Sequence, residues 1–301
     1  MNKKLPVIFI TLSILTLFQL KAQDDLLELL EEETKDENNI NYTYATFKAT
    51  RIINGQSVEN TAGGVLSFII AHRFGKINDG FYELFGLDQA TIRFGLEYGI
   101  TDDFNIGIGR SSFQKTFDAY AKYKLLKQSS GAKNMPVTLS LFTGMAATGV
   151  EDLSPGNEDV FSSRLSYSYQ LLLARKFSNN FSFQLSPTLV HRNLVRTPEI
   201  NNDVIALGIG ARYKLSNRVT LNAEYFYRFD DENLGDDTFN AIALGFDIET
   251  GGHVFQLHIT NSRGMLERYF VSETTGDIAD GDIFFGFNIS RVFTIVKKEP
   301  Q

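Results

Sequence analysis

The 301-residue chain has no cysteine, no tryptophan and only six prolines. Without cysteine there is no lipid-attachment lipobox, no disulfide, no thiolate metal site and no thiol nucleophile. That fits an exported protein that must avoid mispaired bridges, although it does not fix the compartment. Beyond the N-terminus, no stretch approaches the roughly 20 apolar residues that a helix needs to span a bilayer. An excess of positive charge is missing too. Twenty-nine Lys and Arg stand against 36 Asp and Glu, a net charge of -7, which argues against nucleic acid as a partner.

The one long apolar run comes first. Lys3 and Lys4 precede an apolar run from Leu5 to Phe18, and Leu20-Lys21-Ala22 leads into polar Gln23-Asp24-Asp25. This is the pattern of a signal peptide over residues 1–22, cleaved after Ala22. The run is too short to be a spanning helix.

What the rest of the chain has in abundance is alternation. In residues 203–229, Ile205, Leu207, Ile209, Ala211 and Tyr213 share one face, opposite Gly208, Gly210, Arg212 and Lys214. After the turn Ser216-Asn217, Val219, Leu221, Ala223, Tyr225 and Tyr227 share a face, opposite Thr220, Asn222, Glu224 and Arg228. Period two means a strand with one apolar and one polar side. Each run is ten residues or more, whereas strands in soluble proteins average about five or six. A membrane-spanning strand needs roughly nine to eleven.

The unit recurs from about residue 65 to 296. Strands are expected at 65–74, 90–98, 104–111, 116–127, 136–148, 164–176, 181–192, 203–215, 219–229, 238–248, 253–261 and 283–295. The fold expected is all-β: an antiparallel transmembrane up-and-down β-barrel of twelve strands, with fourteen as the alternative, since single-chain bacterial barrels have even numbers. Short connections at 100–103, 177–180, 216–217 and 250–252 alternate with longer ones at 75–89, 149–162, 193–202, 230–237 and 262–282, as periplasmic turns and outer loops do. The 112–115 connection is short for an outer loop. Pro187 removes one ladder bond from a wall strand, so a bulge is expected there. A soluble sandwich is the competing fold, but so many charges on the inner face do not fit a dry core.

Ahead of the barrel (residues 63–297), residues 23–62 form an acidic periplasmic segment. Residues 24–39 place Leu26, Leu27, Leu29 and Leu30 among dense acids, a candidate for docking a basic periplasmic protein or a solvated tail. Residues 43–52, TYATFKATRI, read as one extra strand-like stretch, followed by polar INGQSVENTAGG.

The strand set, together with ATFKATRIINGQSVEN, HRFGKINDGFYELFGLDQATIRFGLEYGITDDFNIGIGRS and DAYAKYKLL, resembles a family of Gram-negative outer-membrane β-barrel proteins of uncharacterised function. The resemblance covers nearly the whole mature chain. It implies a small barrel with an N-terminal segment ahead of the wall, in contact with outer-membrane lipid and lipopolysaccharide. It carries over no catalytic residue.

The lumen-lining candidates are Arg93, Glu97, Asp118, Lys122, Lys124, Arg164, Arg212, Glu224, Arg228 and Asp247. Their mixed signs suit a narrow pore for small hydrophilic solutes, or an interior closed by ion pairs; twelve strands lie between filled and open barrels. Acidic outer-loop candidates are Glu151, Asp152, Glu158 and Asp159 in one loop, Asp230, Asp231, Asp236 and Asp237 in a second, and Asp277, Asp280 and Asp282 in a third. Facing outward together, they would concentrate cations. No loop has EF-hand spacing, and neither a metal nor a cofactor is assigned. Catalysis has little footing. A barrel lipase needs His and Ser two residues apart on a strand, and none of His72, His191, His253 or His258 has one. The pairs Gly107/Gly109 and Gly208/Gly210 lie mid-strand with no helix following, so they read as room in the lumen rather than phosphate loops.

Overall fold

In a computed structural model, residues 39–150, 160–229 and 237–297 are described. The signal-peptide reading and the acidic segment Asp24 to Glu37 lie outside them.

Twelve strands close into a barrel. They are β2 (Val65–Lys76), β3 (Ala90–Gly99), β4 (Phe104–Ser111), β5 (Phe117–Leu126), β7 (Thr138–Ala147), β8 (Leu165–Lys176), β9 (Phe181–Arg192), β10 (Asp203–Lys214), β11 (Val219–Arg228), β12 (Ala241–Thr250), β13 (His253–Thr260) and β14 (Phe284–Thr294). Neighbours in the sequence are neighbours in the wall, and β14 closes antiparallel on β2, Thr294 opposite Val65. Two short strands stand apart: β1 (Ile40–Tyr42) pairs with β6 (Ser129–Gly131), which lies in the connection between β5 and β7. Among the described residues no helix is long and apolar enough to cross a membrane.

The short turns have a common chemistry. Thr101, Ser178 and Ser216 each accept, at the side-chain hydroxyl, the backbone N–H of the residues two and three positions on. A hydroxyl that does this gives the chain a local reason to reverse. The fourth turn uses Gly251 and Gly252 at positive φ.

Alternation then sorts the side chains. On β8, Ser166, Ser168, Gln170, Leu172 and Ala174 point inward and are buried, while Tyr169, Leu171 and Leu173 point outward. The outward faces form an apolar belt. Phe68 stacks on Phe94 and Phe74 on Phe285, while Arg110, Arg175 and Arg291 lie over the rings of Phe117, Phe177 and Phe293. Phe and Tyr thus fill the girdle that Trp shares in other barrels.

Two expectations need correction. Pro187 causes no bulge: β9 keeps one register against β8 on either side of it, with the ladder lapsing only opposite Leu171 and Leu172. The register shifts fall instead between Lys124 and Leu126 and between Phe284 and Gly286. Residues 43–52 are not a strand and do not join the wall. They lead into the barrel: every wall strand is already paired on both edges, and wall side chains rather than a strand take the backbone of the segment that follows.

Leu171→Arg, on the outward face of β8, should cost about 2–4 kcal/mol if it meets the bilayer near mid-depth. Equilibrium unfolding in lipid vesicles measures it, and a loss below about 1 kcal/mol would contradict the lipid-facing assignment.

Candidate functional site

The lumen is filled from both ends. From the short-turn end, residues 46–61 rise into the barrel, reverse at Ile52–Gly55 and return to the wall at Val65. The reversal is closed by Ile52 N–H to the Gly55 carbonyl (2.8 Å) and Ser57 N–H to that of Thr50 (3.0 Å). Every residue from Arg51 to Val58 is buried. From the long-loop end, helix α1 (Glu267–Ser272) enters with all six residues buried. Phe270 meets Phe226 of the wall edge-on at 4.9 Å, and Tyr269 meets Phe113 at 5.0 Å. The two insertions touch at Glu267, whose carboxylate accepts from Gln56 (3.1 Å) and Arg51 (3.4 Å).

An inserted loop with no sheet partner carries backbone N–H and C=O groups that must be satisfied elsewhere. Wall side chains do so. The Glu224 carboxylate accepts the N–H groups of Ile53 (3.2 Å), Asn54 (2.8 Å) and Gly55 (3.1 Å) at the tip. The Lys122 ammonium donates to the carbonyls of Thr50, Ser57 and Glu59, at 3.3, 3.1 and 2.5 Å. Arg212 donates to those of Ala45 (2.8 Å) and Thr46 (3.0 Å). Gln184 spans Val58 N–H and the Gln56 carbonyl, and Gln256 and Asn288 donate to the carbonyls of Ile52 and Ile53. Arg73 holds the Asn54 side chain at 2.8 Å.

Apolar contact completes the seat. Phe47, Ile52, Ile53 and Val58 pack with Tyr120, Phe142, Leu172, Ala174 and Ala243 of the wall. Gly210 faces Ile52, and a Cβ there would come within 2.3 Å of its terminal methyl. Gly208 makes the same room for Phe226. A cavity between plug and wall measures about 20 Å³, and one between the wall and the start of α1 about 10 Å³. A single water needs roughly 10–15 Å³, so neither admits a hydrated solute. A vestibule of about 270 Å³ opens at the short-turn mouth beside Tyr44, Glu59 and Lys124.

The ten lumen candidates fall into different places. Arg93 pairs with Asp118 inside the wall (3.0 and 2.5 Å). Glu97 accepts the Tyr120 hydroxyl and the plug hydroxyls of Thr50 (3.0 Å) and Thr61 (3.3 Å). Lys122, Arg212 and Glu224 hold the plug, and Asp247 accepts from Gln256 at 2.9 Å. Lys124 is half-buried at the vestibule. Arg228 braces the long-loop end through Thr238. Arg164 is not in the lumen: it ends a one-turn helix at the rim and donates to the carbonyls of Thr148 and Val150. The expected ladder of wall-to-wall ion pairs is therefore mostly replaced by wall-to-plug hydrogen bonds, because the plug backbone competes for the same charges.

Among the acidic loop candidates, Glu151, Asp152, Glu158, Asp159, Asp230, Asp231 and Asp236 lie outside the described residues. Asp237 and Asp280 are exposed. Asp277 caps a turn through Ala279 N–H. Asp282 bonds Lys76 (2.6 Å) and Asn78 (2.9 Å), and the Lys76 ammonium holds its carboxyl below the usual range. Among the described residues no three acids or histidines gather as metal ligands do.

Arg73, Asn54 and Glu267 were not singled out from sequence. Ile69, inward beside Ser67, Ala71 and Arg73, blurs the polar face of β2. Asn54-Gly55 between Ile53 and Val58 is a turn signal inside a stretch that otherwise reads as polar loop.

Glu224→Ala should leave three tip N–H groups without their acceptor and cost roughly 3–5 kcal/mol, the range for breaking a buried charged anchor. Glu224→Gln, which keeps an acceptor, should cost less. Unfolding midpoints and protease cleavage within residues 46–61 read both, and an unchanged pattern for Glu224→Ala would contradict the anchoring role.

No curated protein matches the chain in sequence. Solved structures with a similar fold include the NanC porin (9% identity, 77% of this chain and 100% of that chain, TM-score 0.46) and the KdgM porin (11%, 76% and 99%, 0.44). The outer membrane phospholipase A from Escherichia coli is also similar (9%, 75% of this chain and 89% of that chain, 0.41). A pore and a hydrolase stand side by side there, and likeness at this level assigns no activity. A family profile described as a membrane bound beta barrel domain matches residues 47–293. The match takes in the plug as well as the wall, and the chain belongs to that family (DUF5777), as an outer-membrane β-barrel with its lumen filled.

Proposed function

We propose that the protein is a gated outer-membrane pore for small hydrophilic solutes, closed at rest by residues 46–61. One observation carries the reading: the wall behind the plug is made for water. Arg73, Lys122, Gln184, Arg212, Glu224 and Asp247 are buried against the plug or beside it. Burying such groups costs free energy that apolar residues of similar volume avoid. In the closed barrel they bond the plug's backbone, and in one that opens they serve again, because water can replace the plug on each donor and acceptor in turn.

The plug is suited to move as a unit. Its reversal is held by its own two backbone bonds, and its periplasmic ends lead directly to β1 and β2. A second reading has its own support. Closure is two-sided, with α1 meeting the plug at Glu267, which favours a non-conducting barrel that docks a basic periplasmic protein through Asp24 to Glu37. No catalytic group is proposed: His258 is buried against Gly286 on the inner wall, where lipid substrate does not reach.

Single-channel recording separates the two. The full chain should be mostly silent with brief openings, Glu224→Ala should open more often, and a chain without residues 46–61 should conduct steadily. Silence in all three overturns the pore and favours the docking barrel.

A further inference from the structure

The connection between β2 and β3, residues 77–89, leaves its large apolar side chains uncovered. Tyr82 is 91% exposed and Phe81 81%, and Leu84, Phe85 and Leu87 are each close to half exposed. Apolar residues scattered singly over a surface need no account, but a contiguous group of this size marks a contact. The loop is also held firmly. Phe85 N–H bonds the Gly80 carbonyl (2.7 Å), Gly86 N–H bonds that of Glu83 (2.9 Å), and Ile77 N–H bonds that of Ile283 below the neighbouring strand (2.8 Å). Gly86, at φ 85°, lies so close to Gly75 that a Cβ would fall 2.5 Å from the Gly75 carbonyl carbon. Leu84 and Phe85 both take positive φ, a backbone that bulky residues adopt only where their surroundings enforce it. The rings are thus presented outward by a fixed backbone, with Phe81 edge-on to Phe85 at 6.3 Å.

What covers them follows from where the loop begins. It leaves β2 after Lys76, two residues past Phe74, whose outward ring stacks on Phe285 at 5.7 Å and tilts against Phe287 at 6.2 Å. These belong to the lipid-facing belt, and Ile92 continues it on β3. Lys76, bonded to Asp282, and Gln89 stand at the strand ends between that belt and the loop's rings, as polar groups do at the edge of a bilayer. Its acids, Asp79, Glu83 and Asp88, are interleaved with the rings, and Glu83 accepts from Gln89 within the loop (3.3 Å). Rings with polar groups among them suit the boundary between acyl chains and headgroups rather than the hydrocarbon centre.

We infer that residues 77–89 are a membrane foot: a rigid outer loop that lays Phe81, Tyr82, Leu84 and Phe85 into the headgroup boundary of the outer leaflet, extending the barrel's lipid contact on the β2–β3 side. The inference does not depend on whether the barrel opens.

The absence of tryptophan makes the test clean. Phe81→Trp and Tyr82→Trp are each made in the full chain and refolded into phosphatidylcholine vesicles with brominated acyl chains. Ile108→Trp, on the belt, is the lipid-facing control. Ala279→Trp, on an exposed turn of another outer loop, is the aqueous one. Heat-dependent gel mobility checks that each barrel has folded. Blue-shifted emission with bromolipid quenching near that of Ile108→Trp is the expected result. Emission and quenching like those of Ala279→Trp would overturn the foot. So would protection from both bromolipid and aqueous quencher with cross-linked dimers present, in favour of a second copy of the chain on this surface.

Discussion

The structure depends on how the plug's backbone is satisfied. A chain segment led into a closed barrel has no strand to pair with, and a buried amide or carbonyl without a partner costs on the order of 1–3 kcal/mol. In this protein the partners are wall side chains. One carboxylate, Glu224, takes three consecutive N–H groups at the tip, and one ammonium, Lys122, takes three carbonyls along the stem. The two groups sit on strands far apart in the wall, β11 and β5, so plug and barrel fix each other's geometry. The charges on the inner face are thus explained mainly by the plug and less by one another.

The interior is also divided by chemistry. Val190, Val204, Ala206, Phe226 and Ala241 form an apolar patch that receives Phe270 and Val271 of α1. Polar wall residues receive the plug backbone. The long-loop insertion is therefore seated mainly by area removed from water, and the short-turn insertion by directed hydrogen bonds as well as its own apolar cluster. The two kinds of seat respond differently to water. Apolar packing resists it, whereas each plug hydrogen bond has a water-bonded equivalent at little net cost. On the proposed pore function, the asymmetry makes the plug side the one expected to open.

Much of the wall was legible in the sequence. Period-two runs such as Ile205 to Tyr213 and Val219 to Tyr227 give strand and face, their length gives a membrane barrel, and their count gives twelve strands. The interior was not, for particular reasons. Thr46, Lys48 and Thr50 alternate with Phe47, Ala49 and Arg51, so the plug imitates a strand although it pairs with none. Met265, Leu266, Tyr269, Phe270 and Val271 lie in a long loop, where apolar residues have no use in water. They carried a signal of an inserted helix that the strand pattern overshadowed. Arg164 has the right parity for the lumen but stands just ahead of the strand, at the rim. Parity assigns a side, whereas height in the barrel needs the register.

The most direct measurement of plug occupancy again uses a residue type the chain lacks. Ser57→Cys places a single thiol at a fully buried position in the returning arm of the plug, where the native hydroxyl bonds the Ala49 carbonyl. The full chain, refolded in vesicles, is exposed to a small water-soluble thiol reagent. Labelling slower by orders of magnitude than in the unfolded chain is the expected result. Labelling at a rate close to that of the unfolded chain would mean that the lumen is open to water, and would contradict a plug held by Glu224 and Lys122.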